Sequence, residues 1–110
     1  MNARAKGLSA CREVKKILQD RGYRVDGPAY GVAFFGGRSV PIHRDFFGVL
    51  DLITYKDGQY WGHQVTDLSN KSKKIKALAE AGIQAWVWAR TKEGRKIKYR
   101  VFFEDMEIEI

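Results

Sequence analysis

The chain has 110 residues, 45% hydrophobic and 30% charged, a balance that excludes an intrinsically disordered chain and fits one domain around one core. Lys and Arg number 20 against 13 Asp and Glu, for a net charge of +7, so a polyanionic partner is expected. The one cysteine, Cys11, excludes an internal disulfide and argues against a zinc cluster; no apolar run follows the basic start MNARAKGLSA, so no signal peptide is expected, and no apolar run of about 18 residues suggests a membrane span, which points to a cytoplasmic protein.

Residues 8–21 read as a helix: Cys11, Val14 and Leu18 fall at helical spacing, Ile17 widens the stripe and Gly22 stops it. Tyr23 to Val25 is a short strand. The segment from Asp26 to Ile42 is rich in Gly and Pro around an apolar run, Val32 to Phe35, and reads as a strand or hairpin with flexible ends. Val49 to Tyr55 is apolar and β-branched, Asp57-Gly58 is a two-residue turn signal, and Tyr60 to Thr66 is the returning strand. Ser69-Asn70 offers a cap to a helix from Lys71 to Ala81, which Gly82 closes. Ala85 to Ala89 is a strand, Glu93-Gly94 a turn, and Lys96 to Phe103 pairs back. In the acidic end, Met106, Ile108 and Ile110 alternate as in an edge strand or a partner-binding tail. The order predicts a single α/β domain with a mixed central sheet flanked by helices.

The hairpin carries a geometric expectation. With Asp57 and Gly58 at the turn, Lys56 opposes Gln59, and the same register sets Asp51 opposite Gln64, with Thr66 on the same face. A carboxylate between Leu50 and Leu52 is costly unless it meets a metal, a cation or several donors. The plain alternative is a structural Asp bonded to the Gln64 amide. His63 alternates with Gln64 and so points to the opposite face, where packing is the expected role, as it is for His43. Trp86 and Trp88 share one face and read as core or dimer interface, and Cys11 reads as inert core.

The opening run K-G-L-S-A-C-R-E-V, continued through a helix to G-Y-R-V, resembles the first helix and strand of archaeal-type Holliday-junction resolvases in the PD-(D/E)XK nuclease superfamily, ungapped from Lys6 to Val25. V-L-D-L-I resembles the strand that carries that family's metal-binding Asp, here Asp51. H-Q-V-T falls where the family has E-V-K, and the basic helix and A-W-V-W strand complete the order αβββαβ. The family's helix glutamate falls on Cys11, and Glu13 lies roughly 200° around the helix from that position. Gln64 and Thr66 stand for the carboxylate and lysine of E-x-K. A second group of PD-(D/E)XK-like proteins has R-D-x-[FW]-G-x-x-D followed by Q-V-T, which R-D-F-F-G-V-L-D, with Arg44, Asp45, Gly48 and Asp51, then Gln64-Val65-Thr66, resembles.

The resemblance implies a metal-dependent DNA endonuclease acting on branched DNA as a homodimer. Mg²⁺ or Mn²⁺ would be held by Asp51, the Gln64 amide oxygen and the Val65 carbonyl, because Mg²⁺ keeps several waters and needs few protein oxygens. Asp45 would restore the missing negative charge, and Lys73, or its neighbours Lys71 and Lys74, would replace the missing lysine beside Thr66. Lys71, Lys73, Lys74 and Lys76 would contact the DNA backbone, and Arg38, in a Gly-rich G-G-R-S loop, and Arg44 would reach backbone or minor groove. A silent DNA-binding module that kept the fold, and a restriction- or repair-type nuclease, are the alternatives.

Overall fold

The computed structural model describes residues 3–47 and 49–109, with side chains placed for 9–28, 36–39, 45–47 and 49–109. The Cys11, Val14 and Leu18 stripe lies on helix α1, Ala3–Asp20, which starts earlier than the apolar spacing marks. The helix closes where the N–H groups of Arg21 and Tyr23 both donate to the Leu18 carbonyl at 3.1 Å. Strand β1, Arg24–Asp26, then joins the sheet edge.

Strands β2, Ala29–Phe35, and β3, Arg38–Arg44, form a hairpin of their own, outside the main sheet. Its turn is Gly36-Gly37, both at positive φ, so the Gly-rich loop carrying Arg38 is a tight hairpin turn. The next strand, β4, is Leu52–Lys56, shorter than the expected Val49–Tyr55. Phe46 and Leu50 instead exchange backbone hydrogen bonds of 2.7 and 2.9 Å, and Val49 and Leu50 lie in a loop, outside any strand. Val49 and Leu50 are apolar because they fill the core from that loop; the apolar run reports burial, and here burial and strand part company.

Strand β5, Gln59–Asp67, returns from the Asp57-Gly58 turn in the expected register, Lys56 opposite Gln59. A single 3-10 turn, Leu68–Asn70, leads into helix α2, Lys71–Ala81. Asn70 occupies the N-cap position but makes no side-chain cap bond, contrary to expectation. The 3-10 turn leaves it at φ −104°, ψ 3°, away from the extended conformation from which a cap side chain reaches the first N–H groups. Gly82, at φ 70°, closes α2 as expected. Strands β6, Ala85–Glu93, β7, Lys96–Phe103, and β8, Met106–Ile108, complete the chain; β6 runs further than the expected Ala89.

The main sheet has the order β1-β4-β5-β6-β7-β8. Among the described residues only β5 and β6 are parallel, joined through α2; the other pairs are antiparallel, so the sheet is mixed. Alternation along β6 builds two cores. Trp86 and Trp88 pack with Val14 and Leu18 of α1, Leu52 and Val101 on one face. Ala85, Val87 and Ala89 pack with Leu78 of α2, Leu50 and Phe102 on the other. The two Trp residues are therefore core. Ile75 and Leu78 turn inward, which spreads the four α2 lysines around the remaining helix surface.

Candidate functional site

The antiparallel ladder of β4 and β5 ends at Leu52 opposite His63, one pair short of the expected Asp51–Gln64 pair. Asp51 sits in a bend. Its N–H donates to the His63 carbonyl at 2.8 Å, and its Oδ2 accepts the Val65 N–H at 2.8 Å. The carboxylate thus takes the place of the next strand residue beside β5. A strand residue's N–H and C=O leave on the same side, so the Val65 carbonyl also faces the side that Asp51 occupies. Asp51 and Gln64 are both buried, at 6% and 7% exposure.

Register divides the neighbours. Gln64 and Thr66 lie beside Val87 and Ala89, on the α2 face. Cys11 comes from α1 on the opposite side and is buried at 3% exposure. Its thiol is pushed up to about 12, first by burial and then by the charges of Asp51 and Asp45. Cys11 therefore lies in the field of both carboxylates. Asp45 itself is exposed, next to Phe46. Gly27 completes the surroundings. It has φ 106°, and a Cβ there would stand 2.5 Å from the Asp51 carbonyl. The Lys15 ammonium holds the Gly27 carbonyl at 2.9 Å, and nothing in the sequence pattern signals that clamp.

Glu13 does not join this group. It accepts a hydrogen bond from the Tyr99 hydroxyl on β7, as its position around the helix requires. Burial and then Glu13 raise the Tyr99 pKa. The α2 lysines also diverge. The Lys71 ammonium lies 4.4 Å from the centre of the Phe102 ring, two strands across from β5. Lys76 approaches Glu80 at 4.0 Å, Lys73 is exposed and Lys74 half-buried. Arg38 is exposed on its turn; the side chains of His43 and Arg44 lie outside the described residues.

His63 is fully buried within a satisfied chain. Trp88 Nε1 donates to its Nδ1 at 3.0 Å, so the neutral ring carries its proton on Nε2 and donates to Thr54 Oγ1 at 2.7 Å. The Thr54 hydroxyl then reaches the Trp61 carbonyl. Burial lowers the His63 pKa to about 3. This ring is structural, as its alternation with Gln64 predicts.

Among the described residues no group of three or more His, Cys, Asp and Glu side chains could by itself hold a metal ion. Among the same residues no helix is long and apolar enough to cross a membrane. No family model matches the chain, and searches of curated proteins and of solved structures find no match. The geometry offers one buried, backbone-anchored carboxylate beside the Val65 backbone, and a buried Cys11 in the field of both Asp51 and Asp45, in a strongly basic chain.

Proposed function

We propose that this protein is a metal-dependent DNA endonuclease with a PD-(D/E)XK-like centre at Asp51, acting on branched DNA. The observation that supports this best is the Asp51 carboxylate itself, buried at the end of β4 and fixed by the Val65 N–H. That bond orients the carboxylate in advance, which is what a centre acting by electrostatic stabilisation needs.

The donor set fits Mg²⁺ or Mn²⁺ through its chemistry. These ions take oxygen ligands, keep several waters and are commonly bound through one or two carboxylates. Asp51, the Gln64 amide oxygen and the Val65 carbonyl would hold the ion, with Asp45 adding negative charge. A bound ion supplies Lewis acidity toward a phosphate oxygen and a lower pKa for an attacking water. The chain's own contribution is to fix Asp51 from β5 and to admit phosphate through its +7 net charge. Thr66 donates toward phosphate or water. Lys73, exposed on the first turn of α2, with Lys71, Lys74, Lys76, Arg38 and Arg44, supplies backbone contacts. The restriction-endonuclease-like αβββαβ core, the four-way-junction substrate and the homodimer belong to this proposal on the strength of the sequence resemblance. A symmetric dimer suits a two-fold symmetric junction.

One observation favours a second reading, a DNA-binding module without catalysis: the lack of a three-carboxylate cluster among the described residues. The two readings separate in one assay. Labelled four-way junction and matching linear duplex are incubated with Mg²⁺, Mn²⁺ or chelator, with wild type and Asp51→Asn. Asn retains an oxygen for the Val65 N–H, so stability should change by less than about 1 kcal/mol. Metal-dependent cutting of the junction should fall by about 100-fold or more. Equal cutting by wild type and Asp51→Asn rejects the proposed centre; salt-sensitive binding with no cutting by either selects the silent module.

A further inference from the structure

Strands β6 and β7 outrun the sheet that carries them. On one flank the pairing of β5 with β6 stops at Asp67 opposite Arg90. On the other, β8 pairs with β7 only between Val101 and Phe103. The β6–β7 ladder itself continues to Glu93 opposite Lys96. A two-stranded ribbon therefore stands free of strand neighbours from Thr91 to Lys98 and projects about 10 Å past the last β5 pair at the usual strand rise. It leaves the sheet on the side where β5 carries Thr66, which is in register with Ala89 and, beyond it, Arg100.

The ribbon's chemistry is one-sided. Between Arg90 and Arg100 there are six cationic side chains and one carboxylate, Glu93. Lys98 pairs with Glu93 at 2.8 Å and Arg100 with Glu107 at 2.7 Å. Among the described residues Lys92, Arg95 and Lys96 have no ion-pair partner, and all three are exposed. Cross-strand pairing puts Lys92 and Ile97 on one face and Glu93 and Lys96 on the other, so positive charge lines both faces and the tip. The exposed apolar content of the ribbon is Ile97 alone, at 41% exposure. Protein interfaces are built around an apolar or aromatic anchor, and this ribbon lacks one.

We propose that the β6–β7 ribbon is a duplex-binding arm that enters the major groove of B-form DNA, its long cationic side chains reaching the phosphates of both groove walls. The B-form major groove, about 12 Å wide and 8.5 Å deep, admits a two-stranded ribbon, and the projection matches that depth. This inference rests on the reading of the chain as a DNA-binding protein, and it is independent of cleavage. The ribbon grips duplex beside the Asp51 centre and sets the distance between the gripped segment and the strand presented to that centre.

The test compares Arg95→Ala/Lys96→Ala with Arg21→Ala/Arg24→Ala, which removes the same charge from the exposed end of α1 and β1. Binding to a labelled 20-base-pair DNA duplex is followed by fluorescence anisotropy over a salt series in chelator. The ribbon variant should bind at least tenfold more weakly at about 0.1 M salt, and its salt slope should fall by about two, at about 0.9 per lost phosphate contact. The control should stay within about threefold of wild type. Double-stranded RNA of the same sequence has a major groove too deep and narrow for side chains to read, so its weaker binding should be indifferent to the ribbon variant. Equal losses in ribbon and control variants, or equal losses on DNA and RNA, overturn the arm. Cutting assays with Mg²⁺ on the four-way junction, run on the same proteins, keep the two proposals apart. Wild type that binds without cutting, with loss only in the ribbon variant, leaves the arm standing and removes the nuclease. Unchanged binding by the ribbon variant of a wild type that cuts does the reverse, and a wild type that does not bind duplex overturns the arm and leaves the Asp51 centre to the four-way-junction assay.

Discussion

Gly27 shows how much depends on one missing methyl group beside Asp51. Its φ of 106° lies where side chains are rarely tolerated, and an added Cβ would meet the Asp51 carbonyl at 2.5 Å, inside van der Waals contact with backbone that cannot step aside. Gly82 also has positive φ, 70°, yet a Cβ there meets nothing within 4 Å. The two positions therefore separate strain from collision. Gly82→Ala should cost about 1 kcal/mol, the left-handed penalty alone. Gly27→Ala should cost about 3 kcal/mol or more and shift the Asp51 backbone as well. Equilibrium denaturation of both variants checks this; equal losses would mean that the 26–28 segment yields without disturbing Asp51.

At the scale of elements, the His63 chain ties β4, β5 and β6 together through Thr54, His63 and Trp88. The ring is held neutral, with its pKa lowered from 6.5 to about 3 by burial. The unfolded chain therefore takes up a proton near pH 6.5 that the folded chain refuses until about pH 3. Stability is full above pH 6.5 and falls on acidification through that window, by about 2–3 kcal/mol at pH 4.5 at roughly 1.4 kcal/mol per pH unit. Urea unfolding between pH 7 and 4.5 should show this loss, and His63→Gln should lack the one-proton slope. An unchanged slope in the variant would transfer the effect to the carboxylates.

The same strands mark what was legible in the sequence. Period-two alternation gave the register of the β4–β5 hairpin and the facing of His63, Trp86 and Trp88, because a strand buried between two helices leaves each side chain one destination. The helix stop at Gly82 was equally plain. The start of β4 was not, because Val49 and Leu50 are buried from a loop, and hydrophobicity does not distinguish buried loop from strand. The Asp51–Gln64 pair failed for a related reason: extrapolating a ladder assumes that both strands continue, and here one bends. Nor does local sequence say that the Val65 N–H is the partner of Asp51, or that Cys11 lies within range of it. Both follow from the placement of α1 across the sheet, a long-range event.

For the whole molecule, the mixed sheet between α1 and α2 gathers the Asp51 centre, Thr66 and the base of the β6–β7 ribbon along one margin, while β1 and the Asp57-Gly58 turn occupy the other. The C-terminal end of α1 is fastened at that second margin by the Lys56 ammonium, 2.8 Å from the Arg21 carbonyl. Along its length the helix is held by the burial of Cys11, Val14 and Leu18 against the sheet.

The burial of Cys11 also makes the chain its own stopwatch. A lone thiol at 3% exposure, with its pKa at about 12, has almost no thiolate to offer a reagent at pH 8 while α1 is seated. Alkylation must wait until the helix lifts, so the labelling rate counts liftings rather than collisions. Native protein should react at least 10³-fold more slowly than protein in urea, given the ordinary stability of small domains. If α1 parts from the sheet only when everything unfolds, the labelling rate will track global stability across denaturant. If it parts alone, labelling will outrun unfolding, and the side of the Asp51 centre that α1 covers would open and close while the rest of the sheet stays folded.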